Sequence, residues 1–220
     1  MIHPILNKTF ATIAMTLITG FASFAHAQQA AVPAQAAANM NTPDGLVKFV
    51  VEDVMNTIKA DKAIQSGDLR KINALVDQKI LPYSDFQKTT RMSMGRNWSK
   101  ATPAQQALIT QEFKTLLIRI YGGALAQVKD QKIQYKPFRA SADDTDVIVR
   151  TVVVGKGEPI QLDYRLEKTA NVWRVYDINI LGAWLVESYR NQFNDQVSKG
   201  GIDGLIQFLQ QRNNSLANAK

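Results

Sequence analysis

The chain has 220 residues, 26 Lys and Arg against 19 Asp and Glu, a formal charge of +7, two His and no Cys. The missing cysteine excludes disulfides, thiol nucleophiles and a lipid-modified N-terminal Cys. Both histidines, His3 and His26, lie in the first 27 residues, so a chain cleaved after Ala27 also lacks Ser-His-Asp triads, the usual zinc sites and His-ligated haem.

Residues 1–27 read as a secretory signal peptide: Lys8, an apolar run from Phe10 to Phe24, then Ala25-His26-Ala27, a small-x-small cleavage pattern. Its loss takes the charge from +7 to +6 and leaves an exported chain of roughly 180 structured residues, enough for a core without staples. The remaining basic residues are scattered among acids with no Lys/Arg block, which argues against a nucleic-acid partner and leaves a solvated basic surface or attraction to anionic lipids and acidic proteins.

Residues 28–41 are rich in Ala and Gln and read as a flexible leader. Helix is predicted from Thr42-Pro43, with Val47, Val50, Val51, Val54 and Ile58 at helical spacing. Two shorter helices are expected over 67–79 and 84–94, split by Pro82. The longest is predicted over 103–128: Thr102 caps, Pro103 starts, Gln105 completes a capping box, and Ile109, Phe113, Leu116, Leu117, Ile120 and Tyr121 form one wide apolar stripe. Gly122-Gly123 allows a bend or a close approach there.

The period then changes to two. Segments 132–138, 146–154, 159–167 and 172–180 predict four strands, joined at the later two connections by hairpin-length loops. In the third, Ile160, Leu162, Tyr164 and Leu166 alternate with Gln161, Asp163, Arg165 and Glu167, so one face is covered and the other wet. After Gly182 a helix carries Leu185, Val186, Tyr189, Phe193 and Val197, Gly200-Gly201 breaks it, and a short helix with Leu205 and Leu209 precedes a frayed tail at 211–220. Helices, a four-stranded antiparallel meander and helices again predict an α+β fold, and the surplus of apolar helical stripes over sheet face implies either a small helical annex or a cavity lining.

Candidate chemistry is sparse. Asp163 or Asp177 with Tyr164 or Tyr176 could abstract a proton beside a carbonyl, and the alternative is a wet-face Asp163 and a turn-bonded Asp177. Residues 143–146, "DDTD", lack the loop length of a calcium site and read as an acidic turn. Arg91, Arg96 and Lys100 interleave with Met92, Met94 and Trp98, which suits either an amphipathic ligand with an anionic head or a capped helix end over core.

Two segments carry a resemblance. "MGRNWSKATPAQQALITQEFKTLLIRIYGGAL" (94–125) and "WRVYDINILGAWLVESYRNQF" (173–193) resemble the two signatures of the MlaC/toluene-tolerance auxiliary family of periplasmic phospholipid carriers, in order and spacing, and the likeness runs over roughly residues 42–210. The resemblance implies a single carrier domain over 42–210 with a cone of the nuclear-transport-factor-2-like type: a curved four-stranded antiparallel sheet wrapped by helices, with a small helical annex within 60–100 plus the C-terminal helices. It implies a monomeric, non-enzymatic periplasmic protein that needs no cofactor or metal. Such a protein moves phospholipid between an outer-membrane lipoprotein/porin complex and an inner-membrane ABC transporter complex with its membrane-anchored substrate-binding subunit.

On that reading the acyl chains are expected against Phe113, Leu117, Tyr121, Tyr135, Val147, Val149, Leu162, Tyr164, Leu166, Tyr176 and Ile178, with the head group near Arg91 or Arg119. The family commonly has an acidic residue before the glycine of the second signature and a Ser two residues after it. This chain has Leu181 and Trp184 there, and both are expected at the cavity mouth.

Overall fold

A computed structural model describes residues 40–141 and 143–218. The expected signal peptide and most of the leader lie outside the described residues. Among the described residues no helix is long and apolar enough to cross a membrane.

Helix α1 (Pro43–Ala60) starts where the Thr42 side chain accepts from the Gly45 N–H. It stops at Asp61, whose carboxylate accepts from the Ala63 and Ile64 N–H groups and so opens the one-turn α2 (Lys62–Gln65). Asp68 caps α3 (Leu69–Leu75) in the same way. The chain then widens into a π turn (Val76–Ile80) and tightens into a 3₁₀ turn (Leu81–Tyr83), so the helix expected over 67–79 is present but changes its winding after Leu75. Asp85 caps α4 (Phe86–Met94), and Gly95, at φ +54°, ends it. Helix α5 (Pro103–Ala126) has the expected capping box: the Gln105 N–H donates to the Thr102 hydroxyl and the Thr102 N–H to the Gln105 side chain. Of its two glycines Gly122 gives a close approach, since a Cβ there would stand 3.3 Å from Ile72 of α3, while Gly123 faces open space.

Among the described residues the sheet has five strands in sequence order, all antiparallel: β1 (Lys132–Tyr135), β2 (Asp146–Val154), β3 (Ile160–Thr169), β4 (Val172–Ile180) and β5 (Ala183–Trp184). This corrects the expected four. The extra strand comes from a two-residue turn at Leu181-Gly182, which folds Ala183 and Trp184 back onto β4 before α6 begins. Strand β1 is shorter than predicted because Pro137 has no N–H to continue the ladder. Most of the outer edge of β4 is free of β5, and there the Asp85 N–H donates to the Val175 carbonyl at 2.8 Å, covering an otherwise open edge.

Helix α6 (Leu185–Asn218) is two helices joined at Gly201, which sits at φ +67°. The expected fraying of residues 211–220 does not hold through Asn218. Asn213 is buried and its side-chain amide donates to the Glu112 carbonyl and carboxylate of α5, and Leu216 packs on the core.

Three apolar clusters hold the fold. One joins α4, α5 and α6 around Phe113, whose ring contacts Phe86, Tyr189 and Phe193 at 4.7–5.6 Å between centroids. The second presses Leu46 and Val47 of α1 onto Val147, Val149, Tyr164, Leu166 and Trp173 of the sheet. The third is helical only, with Val54, Ile58, Ile64, Ile72, Leu75 and Ile118.

Candidate functional site

The register divides the sheet into two faces. Val147, Val149 and Thr151 of β2 stand opposite Leu166, Tyr164 and Leu162 of β3, which in turn face Val175, Ile178 and Ile180 of β4. This inner face is apolar and carries the second cluster. Ile178 touches both that cluster and the one around Phe113, so the seam between α1, α5 and α6 runs over it.

The outer face is a lattice of charge. Arg150 stands opposite Asp163, and Arg165 opposite Asp177. The Arg165 guanidinium lies 3.1 Å from Asp177, 3.7 Å from Glu187 and 3.8 Å over the Trp184 ring. Lys88 pairs with Glu167 and stacks on Tyr176, whose hydroxyl donates to Asp146 at 2.8 Å.

The expected site residues separate accordingly. Val147, Val149, Tyr164 and Leu166 are buried on the inner face, with Tyr135, Leu162 and Ile178 half-buried beside them. Phe113, Leu117 and Tyr121 belong to the helical cluster. Tyr176 does not join this face. A β-bulge opposite Arg165 and Leu166 inserts one residue into β4, so strict alternation from Ile178 fails and Tyr176 turns outward beside Asp177.

Trp184 is likewise on the outer face, in register with Asn179 and stacked on Arg165, not at an inner mouth. Leu181 is 68% exposed at the turn tip. Arg119 donates to the Asn213 carbonyl across the α5–α6 contact, and Arg91 is exposed on α4, so the two arginines form no common anion site. Asp144 accepts from the Ser141 N–H, closing the turn read from "DDTD".

Of the four Asp–Tyr combinations considered for proton abstraction, Asp177 and Tyr176 share the outer face, where Tyr176 donates to Asp146 and Asp177 is held by Arg165. Asp163 and Tyr164 point to opposite faces of β3. Asp163 accepts from the Thr151 N–H and the Gln161 side chain. Asp177 accepts from the Ile178 and Val186 N–H groups as well as Arg165, tying β4 to the start of α6. Burial pushes its carboxyl above 3.8 against those donors.

Sequence reading missed three features. Leu46, Val47, Val50 and Val51 of α1 are the cover of the inner face, and their helical spacing was visible, but not what they cover. Thr151 places a hydroxyl on that face, donating to the Leu162 carbonyl. The Tyr135 hydroxyl is buried with no hydrogen-bond partner among the described residues, a state that costs about 1–3 kcal/mol. Burial and the carboxylate of Glu52 push it up to about 12.

The Leu181-Gly182 turn carries strain of its own. Both residues have positive φ, +53° and +91°, as a two-residue hairpin loop requires, and Leu is poorly suited to that region. Leu181→Asn is expected to raise the unfolding free energy by about 1 kcal/mol, read as a higher urea midpoint at unchanged slope. A lower midpoint would show that the exposed Leu181 side chain makes a stabilising contact.

A groove of about 520 Å³ lies between α4 and α5, lined by Phe86, Gln106, Thr110 and Lys114 among others. A second, of about 460 Å³, lies between the starts of α5 and of the C-terminal half of α6. Neither is lined by any of the inner-face residues.

The family model described as MlaC protein matches residues 48–211. The chain belongs to the MlaC family. Among its relatives is the toluene tolerance protein ttg2D of Pseudomonas putida, 25% identical over 163 residues, covering 74% of this chain and 76% of that protein. The intermembrane phospholipid transport system binding protein MlaC of Haemophilus influenzae is 23% identical over 174 residues, covering 77% and 81%. A solved phospholipid-binding protein of Ralstonia solanacearum, in complex with a phospholipid, is 58% identical. It aligns with a TM-score of 0.77 over 79% of this chain and 98% of its own. The MlaC signatures thus fall on α5 and on the β4–β5–α6 junction.

Proposed function

We propose that this MlaC-family chain is a periplasmic phospholipid carrier, exported by a cleavable signal peptide. It passes lipid between an outer-membrane lipoprotein/porin complex and an inner-membrane ABC transporter complex, acting as a monomer without cofactor or metal. It binds rather than catalyses. The observation that carries the reading is the phospholipid in the 58% identical Ralstonia structure, supported by the name of the Haemophilus relative.

The physics agrees. Each buried CH₂ is worth about 0.8 kcal/mol, so two acyl chains in water represent roughly 20 kcal/mol of exposure, and an unaided lipid does not leave a membrane at a useful rate. The apolar inner face, with Leu162, Tyr164, Leu166 and Ile178, is the surface we assign to the chains. A phospholipid needs a cavity near or above ~1,000 Å³, so the helices and the sheet must part to admit it. The enclosing fold is read as a cone of the nuclear-transport-factor-2-like type.

Native mass spectrometry of protein purified gently from the periplasm, followed by lipid extraction, tests the carrier. One phospholipid per chain is the expected result. Its consistent absence, with no uptake from offered lipid, overturns the reading.

A further inference from the structure

We propose that the Tyr135 hydroxyl is the polar contact for an acyl ester carbonyl of the bound glycerolipid, at the β1 edge of the inner sheet face. The inference rests on the carrier reading above and adds which part of the lipid is recognised and by which atom.

Tyr135 opens a row that crosses the inner face in register: Tyr135, Thr151, Leu162 and Ile180. Two other hydroxyls stand nearby on this face, and both are engaged. Thr151 donates to the Leu162 carbonyl, and Tyr164 shares a hydrogen bond with Thr151. The Tyr135 hydroxyl alone of the three has no partner among the described residues, although its oxygen is shut off from solvent. Buried hydroxyls without partners are uncommon in folded proteins, and one that persists calls for an acceptor from elsewhere.

Position and charge narrow the acceptor. Strand β1 is the edge of the sheet, and Tyr135 is half-buried there, with Val147, Val149 and Leu166 deeper inside and exposed Lys136 just beyond. The ring thus stands between the apolar interior and the solvated edge, where we place the junction of acyl chains and polar groups. Burial first, and the Glu52 carboxylate second, push the Tyr135 hydroxyl up, so it remains a donor. A phosphate or a free fatty-acid carboxylate would have to shed its water to reach this sealed oxygen, which is costly for an anion. A neutral acceptor fits, and in a glycerolipid that acceptor is the ester carbonyl.

The test uses the full exported chain, stripped of lipid and offered an equal mixture of diester phosphatidylglycerol and its diether analogue with the same chain lengths. The diether has no carbonyl. Wild-type protein should retain the diester about fivefold over the diether by native mass spectrometry, the ratio one net hydrogen bond supports. Tyr135→Phe should bring the ratio to one, with a thermal midpoint equal to or above wild type, because it deletes an unsatisfied group. No ester preference in the wild type, or a preference that survives in Tyr135→Phe, overturns the inference while the carrier reading stands. So does a lowered midpoint in Tyr135→Phe, which assigns the hydroxyl a structural partner. A wild type that retains neither lipid overturns the carrier reading itself.

Discussion

Leu162→Arg is expected to abolish lipid retention in a chain that still folds and exports. Leu162 is half-buried at the centre of the inner face, between Thr151 and Ile180 in register, and packs against the cluster beneath α1. Because the position is not sealed, an arginine can run its stem along the apolar face and bring its head to the edge, so folding survives. A lipid chain laid over the same place would have to bury that charge, which costs several kcal/mol, and a hundredfold loss of affinity needs only about 2.7 kcal/mol. Ile178→Arg, at the seam between two clusters, should act in the same direction. The readout is lipid per chain by native mass spectrometry alongside far-ultraviolet circular dichroism. Normal lipid content in a folded Leu162→Arg protein would place the acyl chains elsewhere.

Asp177→Ala is expected to lower stability by about 3 kcal/mol. The carboxylate is 2% exposed and gathers two backbone N–H groups and a guanidinium at the point where β4, the turn and α6 meet. Alanine leaves both N–H groups unsatisfied and Arg165 with Glu187 alone. The pH dependence has a definite sign. Because burial raises the carboxyl of Asp177 above 3.8 in the folded state, the folded chain holds this proton to higher pH than the unfolded chain does. Stability from this group is therefore greatest below about 3.8 and falls as pH rises through the folded value. The advantage of wild type over Asp177→Asn should shrink as urea unfolding is moved upward through that window. An advantage that grows would mean that the N–H groups and Arg165 outweigh burial.

Both expectations depend on which way a strand residue points, and there local pattern and tertiary structure diverge. The alternation of β3 reads directly from its residues, and the observed burial of Tyr164 and Leu166 follows it. The alternation of β4 reads equally well, yet it misplaces Tyr176. The bulge arises from how β4 pairs with β3, so neither strand carries it alone. The same holds for Trp184. Its neighbours in sequence are apolar, and its partner in space is Arg165, brought there by a two-residue turn that the glycine permits but does not announce.

What the sequence determined by itself was local or compositional. The missing Cys excluded thiol and disulfide chemistry, the Thr102–Gln105 box set the start of α5, the period of two set four of the strands, and two spaced signatures pointed to the family. Each rests on residues a few positions apart, where propensity, capping and alternation act without distant partners. Tertiary structure alone decided that α1 covers the inner face, that β5 exists, that Tyr176 and Trp184 face outward and that the Tyr135 hydroxyl is sealed in without an acceptor. Those facts depend on contacts between segments far apart in the chain, whose register and burial are set by the packing of the whole domain.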